Sequence, residues 1–117
     1  MEGRTQMSNT LRMGLVYVQD MLAGEIRETD NGYEFEYRQE YLDNEGAKAV
    51  SLTLPLQSET YRSKYLFPFF DGLIPEGWLL DVAEHNWKLD SKDRFGLMLV
   101  TCRDCIGDVH IETGVGL

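Results

Sequence analysis

Hydrophobic side chains recur every second residue in the first half of this chain and every third or fourth residue in the last third, so the pattern alone separates a sheet from helices. The clearest stretch is Tyr33, Phe35 and Tyr37 alternating with Glu34, Glu36 and Arg38, the period of a strand with one buried and one wet face. Before it, Gly14 to Val18 and Met21 to Arg27 are separated by Gln19-Asp20 and predict a hairpin, with Gly24 read as a bulge and Asp30-Asn31-Gly32 as the next turn. Asp43 to Lys48 reads as a loop, and Val50 to Leu54 as a short strand ended by Pro55. Gln57 to Lys64 is polar and without period, which predicts a loop.

After residue 64 the texture changes. Leu66 to Trp78 packs aromatics, two prolines and two glycines into one run, predicting a stiff, turned backbone that presents a surface before it enters a helix. That helix is expected from about Pro75 to Lys88, with Leu79, Val82, Ala83 and Trp87 in one apolar arc and Asp81, Glu84 and Lys88 opposite. Trp78 lies at the edge of the arc on the side of His85, so it either folds onto the sheet as core or stands at the rim as a binding residue. Asp90 or Ser91 would cap a second helix, ending near Val100, in which Phe95, Met98 and Leu99 share a face. A closing strand is expected over Ile106 to Ile111. The order of strands, helices and one returning strand predicts an α+β fold: an antiparallel sheet, meandering or barrel-like, with about two helices in the C-terminal half. One domain over residues 13–112 is expected, with a flexible tail at 1–12 and another at 113–117.

Charge narrows the partners. Against 11 basic residues stand 20 acidic ones, a net charge of −9 that repels phosphate backbones and anionic membranes, so neither direct nucleic-acid binding nor membrane binding is expected. Between Asp20 and Glu45 nine acidic side chains accompany only Arg27 and Arg38, and this run is either a solvated sheet face or a surface for a basic partner. With no span of apolar residues and no leader-like start, a cytoplasmic protein is expected.

The chemistry of a catalyst is not written in the chain. There is no glycine-rich nucleotide loop and no nucleophile elbow, and Phe70-Asp71-Gly72 reads as a turn rather than a metal-binding triplet, so no catalytic residue or cofactor is assigned. Cys102 and Cys105 have redox-motif spacing but follow the end of a helix, where the dipole disfavours a thiolate. A zinc site would have to enlist His85 and His110, which lack the usual spacing, so structural packing of the cysteines is expected and no metal is assigned.

Three blocks carry a family likeness: Val50-Ser-Leu-Thr-Leu-Pro-Leu56, Leu66-Phe-Pro-Phe-Phe-Asp-Gly-Leu-Ile-Pro-Glu-Gly77 and Arg103-Asp-Cys-Ile-Gly-Asp-Val109. In this order they resemble the amino-terminal subdomain of HipA-type serine/threonine toxin kinases, over about Gly14 to Ile111. The kinase motifs of that family would lie beyond Leu117, so the resemblance implies a non-catalytic piece like the HipS antitoxins of three-gene HipBST modules. It further implies a HipA-like (HipT-type) kinase as partner, with a helix-turn-helix HipB-like protein in a ternary complex, and obstruction of the kinase active site by a bulky side chain. Carried onto this chain that side chain is Trp78, and the partner-binding set comprises Trp78, Pro75, Glu76, Gly77, Phe70, Asp71 and His85. The alternative is a structural or activating subunit that completes a shortened kinase without inhibiting it.

Overall fold

Two tight reversals start the sheet. Gln19 and Asp20 both have positive φ, 51° and 69°, the backbone of a two-residue hairpin turn whose twist matches that of the strands it joins. It connects β1 (Thr10–Val18) to β2 (Met21–Thr29). Asp30 and Asn31 then lead into β3 (Gly32–Tyr37), with the Thr29 hydroxyl accepting from the Asn31 amide at 3.2 Å and donating to the Gly32 carbonyl at 3.2 Å. The computed structural model describes residues 9–80, 90, 92–102 and 108–113.

The sheet has five strands in the order β4-β3-β2-β1-β5, each neighbouring pair antiparallel, with β4 at Tyr61–Ser63 and β5 at Val109–Thr113. The expected α+β architecture with an antiparallel sheet is therefore the one observed. Between β1 and β2 the register slips: Val16 faces Gly24 whereas Tyr17 faces Leu22, which leaves Ala23 as an extra residue. On its other side the Ala23 carbonyl accepts from the Arg38 amide at 2.8 Å, which continues the β2–β3 pairing one step past Tyr37. Gly24 is required beside it, since a Cβ there would stand 2.3 Å from the Glu36 carbonyl oxygen of β3.

Alternation then sorts the side chains. Val16, Val18, Ile26, Phe35, Tyr37 and Ile111 turn to one face and are buried. Three helices follow the first three strands: α1 (Gln39–Leu42), α2 (Pro68–Asp71) and α3 (Arg94–Thr101), and the backbone at 78–80 is also helical. Phe95, Leu97 and Met98 of α3 are wholly buried and Leu99 nearly so, which matches the expected apolar face. At the centre, Phe35 meets Tyr37 edge-on at 4.8 Å and Phe70 at 5.2 Å, and Phe70 in turn meets Phe69 at 5.2 Å. No helix among the described residues is long and apolar enough to cross a membrane.

Several expectations are corrected. The sheet begins at Thr10, so Thr10, Leu11 and Arg12 belong to β1 and not to a tail. Val50 to Leu54 is no strand: the chain doubles back through a single bridge between Ser51 and Leu54. The fourth strand is instead Tyr61–Ser63, inside the segment expected to be a loop, and it pairs with Tyr33 to Phe35. The helical backbone starts at Trp78, three residues after Pro75, and residues 81–89, with the expected arc of Val82, Ala83 and Trp87, lie outside the described residues. The cap of α3 is Asp93, whose carboxylate accepts from the Gly96 amide at 3.1 Å; the Asp90 carboxylate accepts from the Lys92 amide instead, and Ser91 lies outside the described residues. The closing strand starts at Val109, Ile106 and Gly107 lying outside the described residues.

Candidate functional site

The aromatic and proline run divides into an inward and an outward half. Pro68 occupies the first turn of α2, where its missing amide costs nothing, and the helix aims Phe67 and Phe70 into the core. Two successive turns follow, with the Leu73 amide on the Phe70 carbonyl at 3.1 Å and the Ile74 amide on the Asp71 carbonyl at 3.2 Å, and Ile74 is again buried. From Pro75 the chain surfaces. The Trp78 amide donates to the Pro75 carbonyl at 3.1 Å and the Leu80 amide to the Gly77 carbonyl at 3.1 Å, which winds the backbone into its helix.

Each expected site residue now has a place. Glu76 and Gly77 are exposed, with nothing within 4 Å of where a Gly77 Cβ would point, and Pro75 is partly buried. Trp78 is also partly buried and packs against the hydrophobic core, so it sits between the two placements left open by the wheel. Phe70 does not belong with them: at 0% exposure it is filled in by Phe35, Phe67 and Phe69 and offers a partner nothing. Asp71 is committed to Arg94, Nε to Oδ1 at 2.7 Å, a link between α2 and α3. His85 lies outside the described residues.

The residues that sequence reasoning missed are Leu79 and Leu80. Leu79 was expected in the buried arc, yet it is 66% exposed and Leu80 65%, leaving two leucines on the surface directly after Trp78. Two adjacent leucines can never share one narrow helical stripe, and that was the signal available.

Electrostatics elsewhere is organised by arginines. Arg27 reaches Glu25 at 3.0 Å, Glu34 at 3.3 Å and Glu36 at 3.1 Å, while Arg38 bridges to Glu25 and Arg62 to Glu34. Burial opposes the charge on Arg27, but its hydrogen bonds and the surrounding carboxylates outweigh that and raise its pKa. The acidic run is therefore laced with cations of its own. Arg12 forms a second hub, holding Glu28 of β2 and the α3 cap Asp93 with both edges of its guanidinium. The Cys102 side chain is buried, its Sγ 3.9 Å from the Thr101 hydroxyl, and its carbonyl accepts from the Ile111 amide; Cys105 lies outside the described residues.

These features define a small α+β domain with an apolar surface mounted on a proline and glycine turn. The chain belongs to the HipA N-terminal domain family, which matches residues 14–112. Among its relatives, an uncharacterized protein of Haemophilus influenzae is 31% identical over 106 residues, 91% of this chain and 96% of that protein. A solved structure titled "N-terminal domain of HipA toxin" is similar with a TM-score of 0.71 at 28% identity, covering 95% of this chain and 100% of that one. The family, its fold and a HipS-like small domain are thus those that the three sequence blocks implied.

Proposed function

We propose that this chain is the antitoxin of a HipBST-like module, binding a HipA-like kinase and obstructing its active site with Trp78. Membership of the HipA N-terminal domain family supports a HipA-associated toxin-antitoxin component, in which the matched unit is a small domain apart from the kinase body. The observation that carries the inhibitory reading is the outward half of the run: Trp78 rooted in the core and followed by two leucines about two-thirds exposed. Surface leucines beside a large aromatic suit a hot-spot cluster better than solvent, because burying them against a partner removes apolar area from water. Rooting Trp78 on its own core limits its rotamers before docking, which lowers the ordering cost of binding. A helix-turn-helix HipB-like protein would complete the assembly, in the cytoplasm, without DNA contacts from this acidic chain.

The test is kinase turnover with and without the chain. Wild-type protein suppresses turnover, and Trp78→Ala weakens the suppression by roughly 30-fold or more, the loss associated with a hot-spot side chain. Because Trp78 also touches the core, a melting curve accompanies the variant, and Leu80→Ser, at a largely exposed position of the same surface, tests docking without disturbing the core. Undiminished inhibition by folded Trp78→Ala would remove the plug. The second reading, a subunit that completes a shortened kinase, is favoured by the span of the family match, nearly the whole domain. It predicts turnover that rises on addition of the chain.

A further inference from the structure

Residues 43–60 contain no helix or strand, yet three tyrosine hydroxyls, from β3, α1 and β4, fasten them to the rest of the domain. Tyr41 donates to the Lys48 carbonyl at 2.7 Å and accepts from the Lys48 amide at 2.9 Å. Tyr37 accepts from the Val50 amide at 2.9 Å and donates to the Leu54 carbonyl, and Tyr61 donates to the Pro55 carbonyl at 2.6 Å. Burial pushes the Tyr37 hydroxyl up to about 12, so it remains a donor at any physiological pH. Inside this frame the chain reverses: the Leu54 amide bonds the Ser51 carbonyl at 3.0 Å, and the Thr53 amide donates to the Ser51 hydroxyl at 3.2 Å. Val50 and Leu54, at 7% and 4% exposure, plug the base into the core, and Leu52 stands at the apex 99% exposed.

A lone surface leucine is ordinary. What sets Leu52 apart is its mount. A side chain that contributes nothing to the fold is held out by a turn with both flanks buried and five tyrosine hydrogen bonds at its base. Such restraint lowers the cost of ordering a loop on binding, and an apolar tip suits an apolar socket. The two mounts are linked through the core: Tyr37 packs edge-on to Phe35, Phe35 packs on Phe70, and two turns carry the chain from the helix of Phe70 to Pro75.

We infer that Leu52 is a second docking knob, which enters an apolar socket on the same HipA-like kinase that the Trp78 surface binds. The inference rests on the proposed function. It differs in consequence, because Leu52 lies on a separate turn and supplies affinity without plugging the active site. Leu52→Ser leaves the melting curve unchanged and weakens Kd and the half-inhibiting concentration roughly ten- to hundred-fold, the range expected for exposing one leucine. Inhibition at saturating protein stays complete, whereas Trp78→Ala lowers that plateau. Leu52→Met, which keeps the volume, recovers most of the affinity.

The experiment titrates the full chain and its variants against the HipA-type kinase of the same genome, by calorimetry and by phosphate transfer. Wild-type affinity in Leu52→Ser overturns the knob and leaves the proposed function standing. A Leu52→Ser defect in self-association alone, seen by gel filtration, gives the socket to a second copy of the chain and also overturns it. Absence of binding by the wild-type chain removes both readings together.

Discussion

Arg12→Ala tests whether the first strand is tied into the domain by charge. The guanidinium donates from Nε and Nη2 to Glu28 at 2.7 and 3.0 Å, and from Nη1 and Nη2 to Asp93 at 2.8 Å each. Its Cζ lies 5.3 Å from the centre of the Phe95 ring. The Asp93 hydrogen bond, then that of Glu28, raises the Arg12 pKa above its ordinary value, so the hub is charged at every accessible pH. Side-chain exposures of 33%, 20% and 28% for Arg12, Glu28 and Asp93 place both pairs between the surface and the interior. Each pair then contributes near the upper end of a surface bridge, about 1 kcal/mol. The ring contact adds about 0.5 kcal/mol. Truncation should therefore cost about 2.5 kcal/mol, or roughly 10 °C in Tm for a domain of this size. Urea unfolding followed by circular dichroism measures it, and Arg12→Lys, which keeps the charge but loses the fork, should forfeit about half. A value for Arg12→Ala within about 0.5 kcal/mol of wild type would refute the reasoning and leave Thr10 to Arg12 held by strand pairing alone.

Two further predictions concern stability. Gly24→Ala sets a Cβ 2.3 Å from the Glu36 carbonyl oxygen, which is backbone and has little room to retreat. It should cost about 2–3 kcal/mol, and an unshifted urea midpoint would show that the bulge at Ala23 absorbs the change. Arg12 holds the Asp93 carboxyl below its ordinary value of 3.8 by its hydrogen bond, against the opposing effect of burial. A depressed folded value means stability that is present above the unfolded pKa and lost as pH falls through the folded one. The stability gap between wild type and Asp93→Asn should be constant from neutral pH to about 4.5 and close below it; a gap that persists to about pH 2 contradicts the linkage.

How much was legible in the sequence depended on which force fixed each element. Tyr33, Phe35 and Tyr37 announced β3 because one face of that strand is buried and the other wet. β4 could not announce itself, since Tyr61–Ser63 is a short edge held by backbone pairing and shows no apolar period. Val50, Leu52 and Leu54 carry the same period-two signal as β3, but there the alternation comes from a turn that buries its two feet and exposes its apex. Thr10 to Arg12 look like a polar tail until Asp93, 81 positions away, is folded against Arg12. Of the site, Trp78 was visible from its position at the arc's edge and from the family blocks. The exposure of Leu79 was signalled only by its adjacency to Leu80, and its extent is set by tertiary contacts and not by local composition.

The division inside Leu66 to Leu80 has a consequence for how binding and stability are coupled. Phe67, Phe70 and Ile74 are core residues, and burial of each such side chain is worth about 1.5–3 kcal/mol to folding. Glu76, Gly77, Leu79 and Leu80 are surface residues whose replacement leaves that packing intact. Trp78 stands on the boundary and reports on both. A domain that anchors its presented residues on a separate set of buried ones can vary its partner contacts without risking the fold. Substitutions at Leu52, Leu79 or Leu80 should therefore move affinity alone, substitutions at Phe70 should move stability alone, and only Trp78 should move the two together. That three-way separation distinguishes a docking surface mounted on a core from apolar residues left outside by loose packing, for which leucine and tryptophan variants would all shift the melting curve and none would shift Kd selectively.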